Sequence, residues 1–245
     1  MKGRSAIVTG GARGLGRAIV RKFLEQGARV SIWDRDEDAA RECAEALSDI
    51  GPTHSCTVDI TSPEEVAEAM ASTRKTLGDV SILVCNAAIA GPQVPSHDLS
   101  VKDWKQVMDV NVTGTLLCCQ AVIPDMVSRN YGRIVTLGSV AGKEAGPLIA
   151  AYAASKAAVI SLTKTLGREL ATTGVTVNCV APGAIRTRIF DDWSDSFVQD
   201  LLAKIPMNRF GTPEELAELV AFVASRKASF STGATFDMSG GRADY

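Results

Sequence analysis

Histidine is almost missing from this 245-residue chain, which holds only His54 and His97. Neither has a partner at metal-ligand spacing, which argues against a catalytic zinc or any other metal. His97, in the stretch after Pro95, reads as a surface residue. The six cysteines (Cys43, Cys56, Cys85, Cys118, Cys119, Cys179) contain no Cys-x-x-Cys pair. They read as small core thiols of a reducing cytoplasm rather than a disulfide framework. Charge of one sign is also lacking. Net charge is −2 with pI near 5.8, so neither nucleic acid nor an anionic membrane is an expected partner. No apolar run, Val80 to Ala90 included, approaches the ~20 residues that span a bilayer. The chain enters a strand almost at once, so no signal peptide is expected. Repeats, linkers and low-complexity segments are missing too. With 46% apolar and 22% charged residues the composition is that of an ordinary globular protein. The length fits one α/β domain, although length alone would allow two.

What is present begins with glycine. Thr9-Gly10-Gly11-Ala12-Arg13-Gly14-Leu15-Gly16 follows the apolar run Ala6-Ile7-Val8 and opens a segment with Leu15, Ile19, Phe23 and Leu24 at helical spacing. Glycines at a strand-to-helix turn let the backbone approach a pyrophosphate, and the helix N-terminus offers free N–H groups. Twenty residues after Gly14, behind a second strand from Arg29 to Trp33, stands Asp34. A carboxylate there can hydrogen-bond the adenosine ribose diol and repel a 2′-phosphate. Glycine turn, strand context and Asp34 together predict a dinucleotide site.

Strand candidates recur at Ser55–Val58, Ile82–Cys85, Arg133–Leu137, Thr176–Val180 and 235–236, with helical segments between most of them. That alternation predicts parallel strands with right-handed crossovers: a Rossmann-type, doubly wound seven-stranded sheet with helices on both faces. Gly10, Asp34, Asp59, Asn86, Ser139 and Pro182 all fall just beyond strand ends, where such sheets bind ligands.

Ser139, Tyr152 and Lys156 form a second constellation. Tyr152 and Lys156 are four residues apart and share one helix face. A phenol titrates near pH ~10, too high for a base at neutral pH, and a neighbouring ammonium would lower it. A serine hydroxyl beside the phenol could hold a substrate oxygen.

Taken together, these motifs resemble those of the short-chain dehydrogenase/reductase family over nearly the whole chain. The resemblance pairs Thr9, Gly10, Gly14 and Gly16 with the family's glycine motif, and Asp59, before Ile60, with its adenine-side aspartate. It pairs Cys85-Asn86-Ala87-Ala88 with an Asn-Asn-Ala-Gly turn, Asn111 with the helix asparagine, and Pro182-Gly183 and Ile185-x-Thr187 with the segment after the sixth strand. Cys85 and Ala88 depart from the pattern; a Cβ at Ala88 narrows the cofactor channel slightly. The resemblance implies Tyr152 as acid/base and Lys156 as its modulator and a nicotinamide-ribose ligand. It implies Ser139 as substrate-oxygen holder, Asn111 as anchor of a relay water, and Ile185 and Thr187 as carboxamide partners. It also implies a homotetramer built on the helices around 102–129 and 153–173, on 235–236 and on the helix from Pro213. One domain over 1–245 is expected, with a substrate lid at about 184–211. Asp34 favours NAD over NADP; Arg13 and Arg35 argue the other way, since either could meet a 2′-phosphate.

For the substrate, Gly142-Lys143-Glu144 and the C-terminal run from Phe236 look like NAD-dependent dehydrogenases of sugar-acid catabolism. Lys143, Arg186, Arg188 and Arg242 are candidate partners for a small acid. The alternative is a 3-oxoacyl-carrier-protein reductase using NADP, but 171–178 lacks the basic residue those proteins use for docking. A dinucleotide-binding scaffold without turnover is the third reading, opposed by the completeness of Asn111, Ser139, Tyr152 and Lys156. The tail 242–245 is expected to reach toward a neighbouring subunit's active-site mouth.

Overall fold

The computed structural model describes residues 1–186 and 195–243, with the side chains of 195–197 outside that description. Seven parallel strands form one sheet in the order β3-β2-β1-β4-β5-β6-β7. They are β1 (Ser5–Thr9), β2 (Arg29–Asp34), β3 (Thr53–Thr57), β4 (Val80–Cys85), β5 (Gly132–Leu137), β6 (Val175–Pro182) and β7 (Thr235–Met238). Strands β1, β4, β5 and β6 are buried along their whole length. Their near-continuous Val, Ile and Leu content is what a parallel sheet covered on both faces requires.

The helices among the described residues are α1 (Gly14–Glu25), α2 (Glu37–Leu47), α3 (Pro63–Leu77), α4 (Val101–Met108), α5 (Gly114–Ser128), α6 (Ala141–Glu144), α7 (Ala150–Glu169), α8 (Asp195–Leu202) and α9 (Pro213–Val223). One core holds Ile19, Phe23, Ile32, Ile82, Leu216 and Val220; the opposite one holds Trp33, Leu83, Val122, Met126 and Ile134. Strand order reverses between β1 and β4, so the crevice opens beyond their carboxyl ends.

Helix starts follow the sequence chemistry. Asp36, Ser62, Ser100 and Thr212 cap α2, α3, α4 and α9 through their side chains. Helix α1 differs: Arg13 at its cap makes no side-chain cap bond, and its first turn carries no acid. Its N–H groups and dipole end are therefore left open toward the crevice.

Each strand differs from the sequence expectation by one to three residues in its limits, and at β3 and β7 the reason is chemical. Strand β3 covers Thr53–Thr57 instead of Ser55–Val58, pairing Val30 with Thr53 through Asp34 with Thr57. Its Thr-His-Ser run gives no hydropathy signal because it is satisfied by hydroxyls: His54 Nδ1 meets Ser31 Oγ at 3.0 Å and Nε2 meets Ser72 Oγ at 3.2 Å. Strand β7 runs on to Met238; as an edge strand it tolerates the charge of Asp237.

Helices α4 and α5 are one rod, Val101–Ser128, interrupted by a π-turn at Asp109–Thr113. By length and composition this rod could cross a membrane. Here its Cys118, Cys119, Val122 and Met126 are buried in the domain's own core.

Candidate active site

The glycine turn needs glycine for packing as much as for ligand approach. A Cβ on Gly16 would lie 2.1 Å from the Gly10 carbonyl oxygen, so only glycine lets α1 start this close to the turn. Gly14 holds φ 51° with open space around it. Beyond the turn lies a groove of about 1010 Å³, lined by Gly10, Arg13, Asp34, Arg35, Asp59 and Ile60, among others. Asp34 accepts the Ala12 N–H at 3.2 Å and the Asp36 N–H at 3.2 Å. Asp59 is tied locally, accepting from Thr61 N and Oγ1 at 2.9 and 2.7 Å. Ala87 and Ala88 line the same groove, with Ile89 next to them.

Asn86 does something its place in the motif does not foretell. Its side-chain amide donates to the Thr9 and Gly10 carbonyls at 2.9 and 3.0 Å. Thr9 Oγ1 in turn accepts the N–H groups of Asn86 and Ala87, both at 3.0 Å. In this structure Asn86 clamps β4 to the glycine turn, and it shapes the groove instead of lining it.

The second constellation assembles at the end of β5 and the start of α7. Ser139 follows β5; its Oγ accepts the Ala141 N–H at 3.1 Å, and it stands near enough to the Tyr152 phenol to influence its titration. Lys156 is buried, one turn below Tyr152, with Nζ 5.7 Å from the phenol ring centroid. Burial pulls Lys156 down from 10.5 to about 8. Burial also raises the Tyr152 phenol above its ordinary 10, partly offset by Ser139. Desolvation dominates both groups, and the ammonium is turned to the Leu137 carbonyl at 2.8 Å.

Asn111 sits in the π-turn, 1% exposed. Its Oδ1 accepts the Ile89 N–H at 2.8 Å, and Nδ2 donates to Ile89 O and Ser155 Oγ, both at 2.9 Å. Ser155 Oγ donates to the Tyr152 carbonyl at 2.7 Å. The helix asparagine thus joins the turn after β4 to the Tyr152 helix. Ser155 and Ile89 escape sequence reasoning, since a serine inside a helix and a backbone amide carry no motif. Two non-glycine residues with positive φ, Ala145 (56°) and Leu148 (67°), lie between Ser139 and Tyr152. Such strain persists only where surroundings enforce it, and Leu148 O accepts Val94 N–H at 3.1 Å.

Pro182 ends β6, and its carbonyl accepts Val140 N–H at 3.0 Å, which fixes the turn carrying Ser139. Gly183 N donates to Met238 O at 2.9 Å. Ile185 is buried and bridges to Gly211. Thr187 and Arg188 lie outside the described residues. Of the cations expected to meet a substrate acid, Lys143 pairs with Asp237 at 3.2 Å and Arg242 with Glu144 at 3.0 Å; Arg186 is exposed. Among the described residues no group of three or more His, Cys, Asp or Glu is placed to hold a metal ion.

Comparison with known proteins agrees with this geometry. The sequence model of a family described as enoyl-(acyl carrier protein) reductase matches residues 10–243. A 2-dehydro-3-deoxy-L-rhamnonate dehydrogenase (NAD(+)) of Sphingomonas sp. is 43% identical, over 99% of this chain and 96% of that protein. A 3-oxoacyl-[acyl-carrier-protein] reductase of Vibrio cholerae is 36% identical over 98% of each. The crystal structure of an NAD+-bound xylitol dehydrogenase superposes with TM-score 0.93 at 29% identity, covering 98% of this chain and 99% of that one. With its glycine turn, its Ser139–Tyr152–Lys156 centre and these relatives, the chain belongs to the short-chain dehydrogenase/reductase family of oxidoreductases.

Proposed function

We propose that the protein is an NAD-dependent dehydrogenase acting on the secondary alcohol of a small polar sugar-derived acid, or on the matching ketone. The observation that carries the catalytic part is the Ser139–Tyr152–Lys156 centre at the crevice end of β5. The relative that is 43% identical and named for NAD(+) and a deoxy-keto sugar acid carries the substrate class.

The residues present fit a dinucleotide. The uncapped N-terminus of α1 suits a pyrophosphate, and the Asp34 carboxylate at the groove suits an unsubstituted ribose diol. When bound, NAD supplies the hydride acceptor. Gly10, Arg13, Gly14, Leu15, Gly16, Arg35, Asp59, Ile60, Ala87, Gly183, Ile185 and Thr187 are the remaining proposed contacts, with Asn86 and Pro182 acting through the turns they hold.

Tyr152 takes the alcohol proton at its phenolic oxygen in oxidation and returns it in reduction. Ser139 holds the substrate oxygen beside that phenol. Lys156 places a cation beneath the pair and, with NAD bound, would also hold the nicotinamide ribose. Asn111 fixes the tyrosine helix through Ser155, and its π-turn is the place for a relay water. The excursion 184–211 begins and ends at one point, with Arg186 N–H on Gly211 O at 2.9 Å and Gly211 N–H on Ala184 O at 3.1 Å. That pinning supports its role as a substrate cover. Phe222, exposed and edge-on to Phe236 of β7, and the exposed Phe230 support association of copies, as a homotetramer. The six free, buried thiols support a reducing, cytoplasmic setting.

A second reading, a 3-oxoacyl-carrier-protein reductase, is supported by the 36% identical Vibrio relative. Initial rates against a panel of 2-keto-3-deoxy sugar acids, secondary alcohols and β-ketoacyl thioesters, each with NAD(H) and NADP(H), decide between them. The first reading requires sugar acids with NAD to give the highest kcat/KM.

A further inference from the structure

Arg13 and Asp36 meet at the rim of the adenosine groove, Nη1 to Oδ2 at 2.8 Å. Arg13 leaves the glycine turn and lines the groove. Asp36 stands two residues after Asp34 and caps α2, accepting Ala39 N–H through Oδ1 at 3.0 Å. Its backbone N–H donates to Asp34 Oδ1. The cap fixes the Asp36 carboxylate, and its second oxygen is what the guanidinium takes.

We propose that Asp36 is a specificity-determining residue, which engages the Arg13 guanidinium at the groove rim and so withholds it from a 2′-phosphate. The inference rests on the dinucleotide reading above. Two acids then exclude the phosphate by different means. Asp34 suits the ribose diol and repels a 2′-phosphate, while Asp36 engages the cation that would welcome that phosphate. Arg35 also lines the groove, and it carries whatever residual attraction survives the loss of Arg13. Both partners of the Arg13–Asp36 pair reach solvent, with side chains 72% and 38% exposed, so the latch is a modest one.

The test is a cycle of NADH and NADPH titrations by cofactor fluorescence. Asp36→Asn is used because asparagine still caps α2. Asp34→Ala alone is expected to tighten NADPH binding about tenfold by removing the carboxylate–phosphate repulsion. Adding Asp36→Asn to it is expected to tighten NADPH by a further threefold to fivefold, about what an exposed ion pair can withhold. Adding Arg13→Gln as well is expected to erase that further gain. High salt is expected to shrink it. No further gain from Asp36→Asn, or a gain that survives Arg13→Gln, overturns the latch while leaving NADH binding and the dinucleotide reading intact. Failure of wild type to bind NADH overturns both.

Discussion

The two ends of the crevice are built on opposite electrostatic plans. At the adenosine end the charges are wet: Arg13 is 72% exposed, and Asp59 and Arg35 border open solvent. At the catalytic end they are dry: Lys156 is 4% exposed, and Ser155 and Asn111 are buried beside it. Wet charges are screened and adjust affinity by small factors. Dry ones shift their own protonation and act on the reacting atoms. Selectivity between cofactors can thus be set by several weak, separable groups, whereas the proposed turnover rests on a few buried ones.

The largest effect should come from the dry end. Tyr152→Phe removes only the oxygen proposed to transfer the proton and should lower kcat by about 10²–10⁴-fold while NADH binding, read by fluorescence titration, stays near wild type. A comparable loss of cofactor affinity would mean that the two ends are not separable.

Lys156 offers a sharper contrast. Its folded pKa of about 8 lies below the ordinary 10.5, so the charged form is penalised by folding. The linkage runs one way: stability is highest above the unfolded value and falls as pH drops from 10.5 to 8, then stays low. The cost at neutral pH is about 3 kcal/mol. Lys156→Met should abolish turnover and weaken NAD binding, yet raise the denaturation midpoint at pH 7. That advantage should shrink as pH rises from 8 toward 10.5. A variant no more stable than wild type at pH 7 would show that the buried ammonium is compensated elsewhere, and the contrast with the wet end would weaken.

Ser155→Ala probes positioning within the dry end. It leaves one Asn111 N–H hydrogen buried and unmatched, at about 1–3 kcal/mol. Stability and kcat should fall together, while the wild-type KM for NAD holds. At the wet end Asp34→Ala should leave kcat with NAD within a few-fold and move the NAD/NADP preference by about tenfold. This shift, unlike the effects at the dry end, should diminish with added salt, as measured by kcat/KM at low and high ionic strength.

Much of this plan is legible in the chain. The glycine turn, Asp34 and the Ser139-Tyr152-Lys156 spacing are local patterns whose geometry follows from strand ends and helix periodicity, and the structure sets Gly10, Asp34 and Ser139 at the carboxyl ends of β1, β2 and β5 in one parallel sheet. The sheet is legible for the same reason, because its buried strands are continuous apolar runs. What escapes depends on distant partners. Asn86 reads as a ligand contact until its amide is seen on Thr9 and Gly10, 77 and 76 residues away. The hydroxyl-satisfied strand β3 shows no apolar alternation. The Asn111–Ser155–Ile89 junction joins three elements with no common motif, and the pairing of Arg13 with Asp36 is set by the helix cap of α2. The tail is only partly within view: Arg242 and Ala243 are held by Glu144 and Ser239 of their own chain, and 244–245 lie outside the described residues. Deleting 242–245 should raise KM for an acidic substrate with NAD affinity unchanged if the tail closes a neighbouring mouth.

The most direct test of the central claim is the steady-state rate of NADH oxidation or NAD reduction, followed by absorbance, with a 2-keto-3-deoxy sugar acid as substrate. Wild type and Tyr152→Phe should be compared at equal cofactor occupancy. The expected result is saturable turnover by wild type that prefers NAD(H) to NADP(H) and drops at least about a hundredfold in the variant. Turnover by Tyr152→Phe within a few-fold of wild type would contradict the assignment of the proton transfer to this tyrosine, and with it the account of the dry end.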